Sequence, residues 1–276
     1  MSDQQYSPTG FKLLPPVVKN LLIINLICFV ATYSLNSTFR IDLTNLFGLY
    51  YFKSDLFKPY QFVTYMFFHA GIQHILYNMF ALWMFGYLLE NVWGPKRFLT
   101  YYMITGIGAA VIQTAINYWH FSGYETVLST YSSSPSPDSF VNFVNSFPYK
   151  SQDLIDKMNA LLQQWHQSVN DVHCQRLSVE YAGDLIKQQY NIPTIGASGA
   201  VYGILLAFGM MFPNMLVFIW FLFPIKAKWL VIGYGAIELF YGISNNASDN
   251  VAHFAHLGGM FFGFFLILYW KRKASY

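Results

Sequence analysis

Six stretches of roughly fifteen to twenty residues, almost free of charge, divide this chain at residues 17–35, 70–89, 98–118, 198–212, 229–243 and 251–270. Runs of this kind are what helices need to cross the ~30 Å hydrocarbon core of a bilayer. Inside hydrocarbon every backbone N–H and C=O must find its partner within the protein, so such runs take helical form. A water-soluble globule that buried them all would lack surface. Asp, Glu, Lys and Arg make up 11% of the 276 residues, where a soluble domain carries about 25%. The expected fold is all-α: a polytopic bundle of six transmembrane helices, read as a single domain over 1–276. A further apolar run, 215–224, is too short to span and ends in Pro224. It is expected to lie at the interface or against the bundle, with a short seventh span as the alternative.

Charge orients the bundle. Lys12 and Lys19, Lys96 and Arg97, Lys226 and Lys228, and Lys271, Arg272 and Lys273 fall on one side if there are six spans. Basic residues in short loops favour the cytoplasm, so both termini are expected there. The other face receives residues 36–68, 244–250 and a long extracytoplasmic insertion, 119–197, between the third and fourth spans. In that insertion Tyr131–Asp138 is rich in Ser and Pro, which predicts a flexible stretch. Leu154, Ile155, Met158, Leu161, Leu162, Trp165 and Val169 recur at helical spacing. They predict an amphipathic helix on the membrane or bundle surface, or else the packed face of a small helical cap. Residues 1–16 are largely polar and hold no cleavable signal, so the first apolar run is expected to stay as a span, and the lack of a transit-like N-terminus points to a bacterial plasma membrane. With a net charge of +3 and no basic run beyond Lys271-Arg272-Lys273, no nucleic-acid surface is expected. Cys28 and Cys174 read as two unpaired thiols.

Polar groups inside spans are costly and mark function or packing. Ser198 opens the fourth span within Gly196-Ala197-Ser198-Gly199. A serine at a helix N-terminus sits beside unpaired backbone N–H groups able to stabilise an oxyanion, although a capping or packing serine would look the same. His256 opens the sixth span and could take the serine proton. His256, Gly259 and Gly263 share a helix face, and the glycines would let that helix press against the start of the fourth. His253, one turn earlier, reads as an interface residue. In the second span His74 and Asn78 share a face and both can donate to an oxyanion. His69 precedes that span. Glu90, at its far end, reads as a local cap or a partner of Lys96 or Arg97. No histidine spacing forms a recognised zinc motif. With six spans, Ser198, His256, His74 and Asn78 all fall at a similar depth below the outer face.

These residues resemble the rhomboid family of intramembrane serine proteases. His69-x4-His74-x3-Asn78 resembles its second-helix signature, Gly196-x-Ser198-Gly199 its nucleophile motif, and Ala255-His256-x2-Gly259-x3-Gly263 its sixth-helix motif. Tyr202 matches the tyrosine that packs on the family's catalytic histidine. The resemblance implies a Ser198–His256 dyad with no aspartate, and an oxyanion hole from Asn78, His74 and the Ser198 backbone N–H. It implies no metal or cofactor, and transmembrane proteins as substrates. Tyr60-Gln61 stands where the family often carries Trp-Arg, and the loop before the nucleophile is longer. A catalytically silent relative that binds membrane helices is the alternative. A transporter would want charged or broken spans near the midplane.

Overall fold

The computed structural model describes residues 12–147, 150–219, 223–244 and 251–274. The chain is mostly helical. In order come α1 (Pro16–Phe39), α2 (Leu43–Phe47), α3 (Gln61–Thr64), a 3₁₀ turn (Tyr65–Phe67), α4 (Ile72–Trp93), α5 (Pro95–Ser133), α6 (Pro137–Asn145), α7 (Gln152–Trp165), α8 (Val172–Tyr190) and α9 (Ser198–Met211). Strands β1 (Leu216–Ile219) and β2 (Phe223–Lys226) follow, then α10 (Ala227–Ser244) and α11 (His253–Ala274). Among the described residues, three helices are long and apolar enough to cross a membrane: Pro16–Phe39, Pro95–Ser133 and His253–Lys273; α9 is apolar but shorter. The six apolar stretches fall in α1, α4, α5, α9, α10 and α11. Exposed Ile23, Ile27, Leu76, Phe240 and Phe265 give the bundle an apolar outer surface, suited to lipid.

Local chemistry sets the helix ends. Proline opens both α1 and α5, where its missing N–H costs nothing. Gly94, at φ 78°, makes the corner between α4 and α5, a conformation that disfavours any side chain. The carboxylate of Glu90, buried on α4, accepts from the N–H groups of Val17 (2.9 Å) and Val18 (2.7 Å). It therefore caps α1, 72 residues away, rather than its own helix or Lys96 or Arg97. Negative charge at a helix N-terminus satisfies two orphan donors and opposes the helix dipole. Glu90→Ala is expected to cost about 3 kcal/mol of stability, and Glu90→Gln roughly half of that. Thermal unfolding in detergent measures both.

The described residues of the apolar run after Pro213 form strands rather than a helix. β1 and β2 pair antiparallel, Leu216 opposite Lys226 and Val217 opposite Ile225. This strand pair departs from the expected all-helical chain; residues 220–222, 245–250 of the expected outer loop and 1–11 lie outside the described residues.

The described residues of 119–197 are mostly helical and pack as a cap. The third apolar stretch does not end its helix at Tyr118. α5 continues to Ser133, 39 residues in all, roughly 58 Å at 1.5 Å per residue and about twice the hydrocarbon thickness. The predicted flexible stretch holds the end of α5 and the capping box of Ser136 and Ser139 that starts α6. Leu154, Met158, Leu161 and Trp165 of α7 are buried in a second core with Phe140, Phe143, Leu185 and Tyr190. The helical spacing thus marks a packed cap face. Val169 lies beyond α7 and is exposed. Asp171 caps α8 through the N–H groups of His173 and Cys174, which hold its carboxyl below the usual carboxylate range. Cys174 is buried in the cap core and Cys28 lies in α1; both thiols are free.

The segment 40–61 ties the cap to the bundle. Tyr51 packs on Phe121 and Tyr190. Lys53 pairs with Glu125 at 2.6 Å, and Leu49 bridges Thr194. Gln61 is buried and spends its whole amide here. Its Oε1 accepts from the N–H groups of Tyr50 and Lys58, and its Nε2 donates to the carbonyls of Leu46 and Leu56. A neutral amide at this position thus organises the loop without a charge. At the opposite end of the bundle Arg97 lies over the Trp270 ring at 4.2 Å. The Lys12 N–H there donates to Asn91, so these basic clusters share one end.

Candidate active site

The site lies at the cap end of the bundle, where α4, α9, α10 and α11 meet. Gly196 sets the approach to α9. Its φ of 130° lies where side chains are strained, and its N–H donates to the Tyr65 carbonyl at 2.9 Å. Ala197 occupies the cap position of α9 and makes no side-chain cap bond. Ser198 is the first helical residue, so its hydroxyl is not spent on capping. It meets His256 Nε2 at 2.7 Å. α11 comes this close because it lacks side chains at the crossing: a Cβ on Gly259 would stand 1.8 Å from the Gly199 carbonyl oxygen. Gly263, one turn on, faces Tyr101 of α5 instead. Tyr202 stacks on His256, with ring centroids 4.3 Å apart and planes within 5°.

His74 projects into the space beside Gly196. The vacant Cβ position of Gly196 lies 2.8 Å from His74 Nε2 and 3.5 Å from Ser198 Oγ. The Ala70 N–H donates to His74 Nδ1 at 3.4 Å, which leaves the ring proton on Nε2, facing that space. Asn78 is buried one turn below and donates one amide hydrogen to the His74 carbonyl at 3.0 Å. His69 packs edge-on against His74, with both ring nitrogens buried and without a hydrogen-bond partner among the described residues. Ser198, His256, Tyr202 and His74 are therefore brought together from α4, α9 and α11, with Asn78 one turn along α4 from His74.

One further residue belongs to the cluster. Glu238 of α10 is 5% exposed. Its Oε2 accepts from His256 Nδ1 at 2.9 Å and from His253 Nδ1 at 2.6 Å, and its Oε1 from the Tyr202 hydroxyl. His253 is thus a partner of a buried carboxylate rather than an interface residue. Glu238 belongs to no sequence motif. The available signal was a lone acid inside an apolar helix, which is too costly to keep without partners.

Chemically, this is a hydroxyl bonded to an imidazole whose other nitrogen is held by a carboxylate, beside a space that His74 Nε2 borders. The arrangement suits proton abstraction and attack by Ser198.

Comparison with known proteins identifies the family. The family model described as the Rhomboid domain matches residues 57–128 and 173–273, more than half of the chain. The unmatched interval contains α6 and α7. A protein of Schizosaccharomyces pombe named as an uncharacterized mitochondrial rhomboid protein is 32% identical over 97 residues. That alignment covers 33% of this chain and 25% of the relative, so the chain spans about a quarter of that protein's length. Its name places the relative in the mitochondrion and lends no support to a bacterial plasma membrane for this chain.

Proposed function

The chain belongs to the rhomboid family and is a multi-pass membrane protein, and on that premise we propose that it is an intramembrane serine endopeptidase. It cleaves peptide bonds in or near the transmembrane helices of membrane-protein substrates. The observation that carries this reading is the 2.7 Å contact between Ser198 Oγ and His256 Nε2. A relative that merely bound helices would need no such contact.

In this mechanism Ser198 Oγ attacks the scissile carbonyl carbon while its proton passes to His256 Nε2. The carbonyl oxygen becomes an oxyanion in the space beside Gly196. There it accepts from His74 Nε2–H, the Ser198 backbone N–H and the second amide hydrogen of Asn78. His256 then protonates the leaving amine, and water, activated by the same ring, releases the acyl group. Tyr202 holds the imidazole plane by stacking. No step calls for a metal or cofactor. The reading takes α1, α4, α5, α9, α10 and α11 as six spans in one domain over 1–276. Residues 119–197 are an insertion on the extracytoplasmic face, and both termini are cytoplasmic.

The test uses protein reconstituted in liposomes with a model single-pass substrate and a fluorophosphonate probe. Wild type is expected to cleave the substrate and to be labelled at Ser198. Asn78→Ala is expected to lower kcat by about 10²–10³ with KM nearly unchanged, as loss of an oxyanion donor does. A wild-type protein that neither cleaves nor labels would overturn the protease reading in favour of a silent helix-binding relative.

A further inference from the structure

We propose that Glu238 is a positioning residue completing a serine–histidine–carboxylate relay with Ser198 and His256, an inference that rests on the protease reading. An ionised carboxylate can only accept hydrogen bonds. The 2.9 Å contact with Glu238 Oε2 therefore places the proton of neutral His256 on Nδ1. Nε2 is left with its lone pair toward Ser198, 2.7 Å away. This is the tautomer a general base requires. The opposite tautomer would aim an N–H at the serine and could accept nothing from it.

The carboxylate is itself held in place. Tyr202 donates to Oε1 while its ring stacks on His256. His253 donates to Oε2 from one helical turn away at 2.6 Å. Three donors from two helices thus fix a group that burial would otherwise make costly. The same three side chains could suggest a metal site, since Glu238, His253 and His256 offer ligand atoms within 4.8 Å of one another. Their spacings argue for hydrogen bonds. Two ligands of one tetrahedral zinc ion stand roughly 3.3 Å apart, given metal–ligand bonds of about 2.0–2.1 Å. The two histidine nitrogens lie 2.6 and 2.9 Å from the carboxylate oxygen. During turnover the serine proton goes to His256 Nε2 and then to the leaving amine. Glu238 takes up no proton and balances the imidazolium charge in between.

Glu238→Gln keeps the shape and removes the charge. It is expected to lower kcat by about 10²–10⁴, with KM changed by less than about threefold. Glu238→Asp keeps the charge at a shorter reach and is expected to retain more activity than the amide. Independently of turnover, nitrogen-15 NMR of histidine-labelled protein, with His256 assigned by loss of its signal in His256→Ala, should find the Nδ1–H tautomer in wild type. In Glu238→Gln it should shift toward Nε2–H. Half or more of wild-type kcat in Glu238→Gln would overturn the proposal. So would equal losses in both variants alongside matching drops in thermal midpoint, which would mark a packing role. Should wild type cleave nothing, the protease reading fails while the tautomer still decides on Glu238: an unchanged His256 tautomer between wild type and Glu238→Gln sinks it.

Discussion

Replacing Ser198 with alanine is expected to lower cleavage by at least about 10⁴-fold, and His256→Ala by a similar factor. The two residues act as one unit, because the hydroxyl is a weak nucleophile until the ring takes its proton. Their losses should therefore not add: the double variant should be no slower than either single one. Folding should survive. Ser198 makes no capping bond, so its removal takes away one hydrogen bond, worth about 1 kcal/mol. Cleavage rates in liposomes and thermal midpoints in detergent check both halves of this expectation. Near-normal rates in either single variant would rule out the pair as the catalytic machinery.

The second large effect comes from a residue with no functional group. Gly259→Ala is expected to cost at least about 3 kcal/mol of stability and, in the protein that still folds, about 10²-fold or more in rate. The new methyl would stand 1.8 Å from the Gly199 carbonyl oxygen and 2.7 Å from its carbon, both backbone atoms. α9 cannot retreat, since a Cβ at Gly199 would already lie 2.5 Å from Ala109 of α5. α11 must then move outward by more than an ångström, carrying His256 away from Ser198. Gly183 of α8 is the control: nothing lies within 4 Å of a Cβ added there. Gly183→Ala should leave rate unchanged and hold or slightly raise stability through better helix propensity. Equal behaviour of the two variants would refute the close crossing as the basis of the site.

What could be read from the residues, and what could not, follows from the range over which each signal acts. The Ser198, His256 and His74–Asn78 patterns are local, each confined to a turn or two of helix. So are the glycines at offsets of three and seven from His256. Glu238 carries no pattern of its own. Its meaning lies in three side chains on other elements, which no spacing reveals. Glu90 reads as structural, but its partners stand 72 and 73 residues back, beyond what a local pattern can point to. Hydropathy falls after Tyr118, which by itself predicts a helix end there. Yet α5 continues because Phe121 and Tyr131 have a second core to enter. The run after Pro213 was ambiguous in kind: short apolar runs suit a strand or a helix equally well. Tyr60-Gln61 was visible as a departure from Trp-Arg. Its consequence needed the four backbone groups that the amide satisfies.

The 58-residue separation between the nucleophile and its base has a consequence for biosynthesis. A ribosome adds about 5–20 residues per second, so His256 emerges roughly three to twelve seconds after Ser198. Throughout that interval the serine is an ordinary hydroxyl on a newly inserted helix. Only the docking of α11 supplies the ring that activates it. On the protease reading proposed above, the protein is thus made in an unarmed form, and its own earlier spans enter the membrane before any peptide bond can be cut.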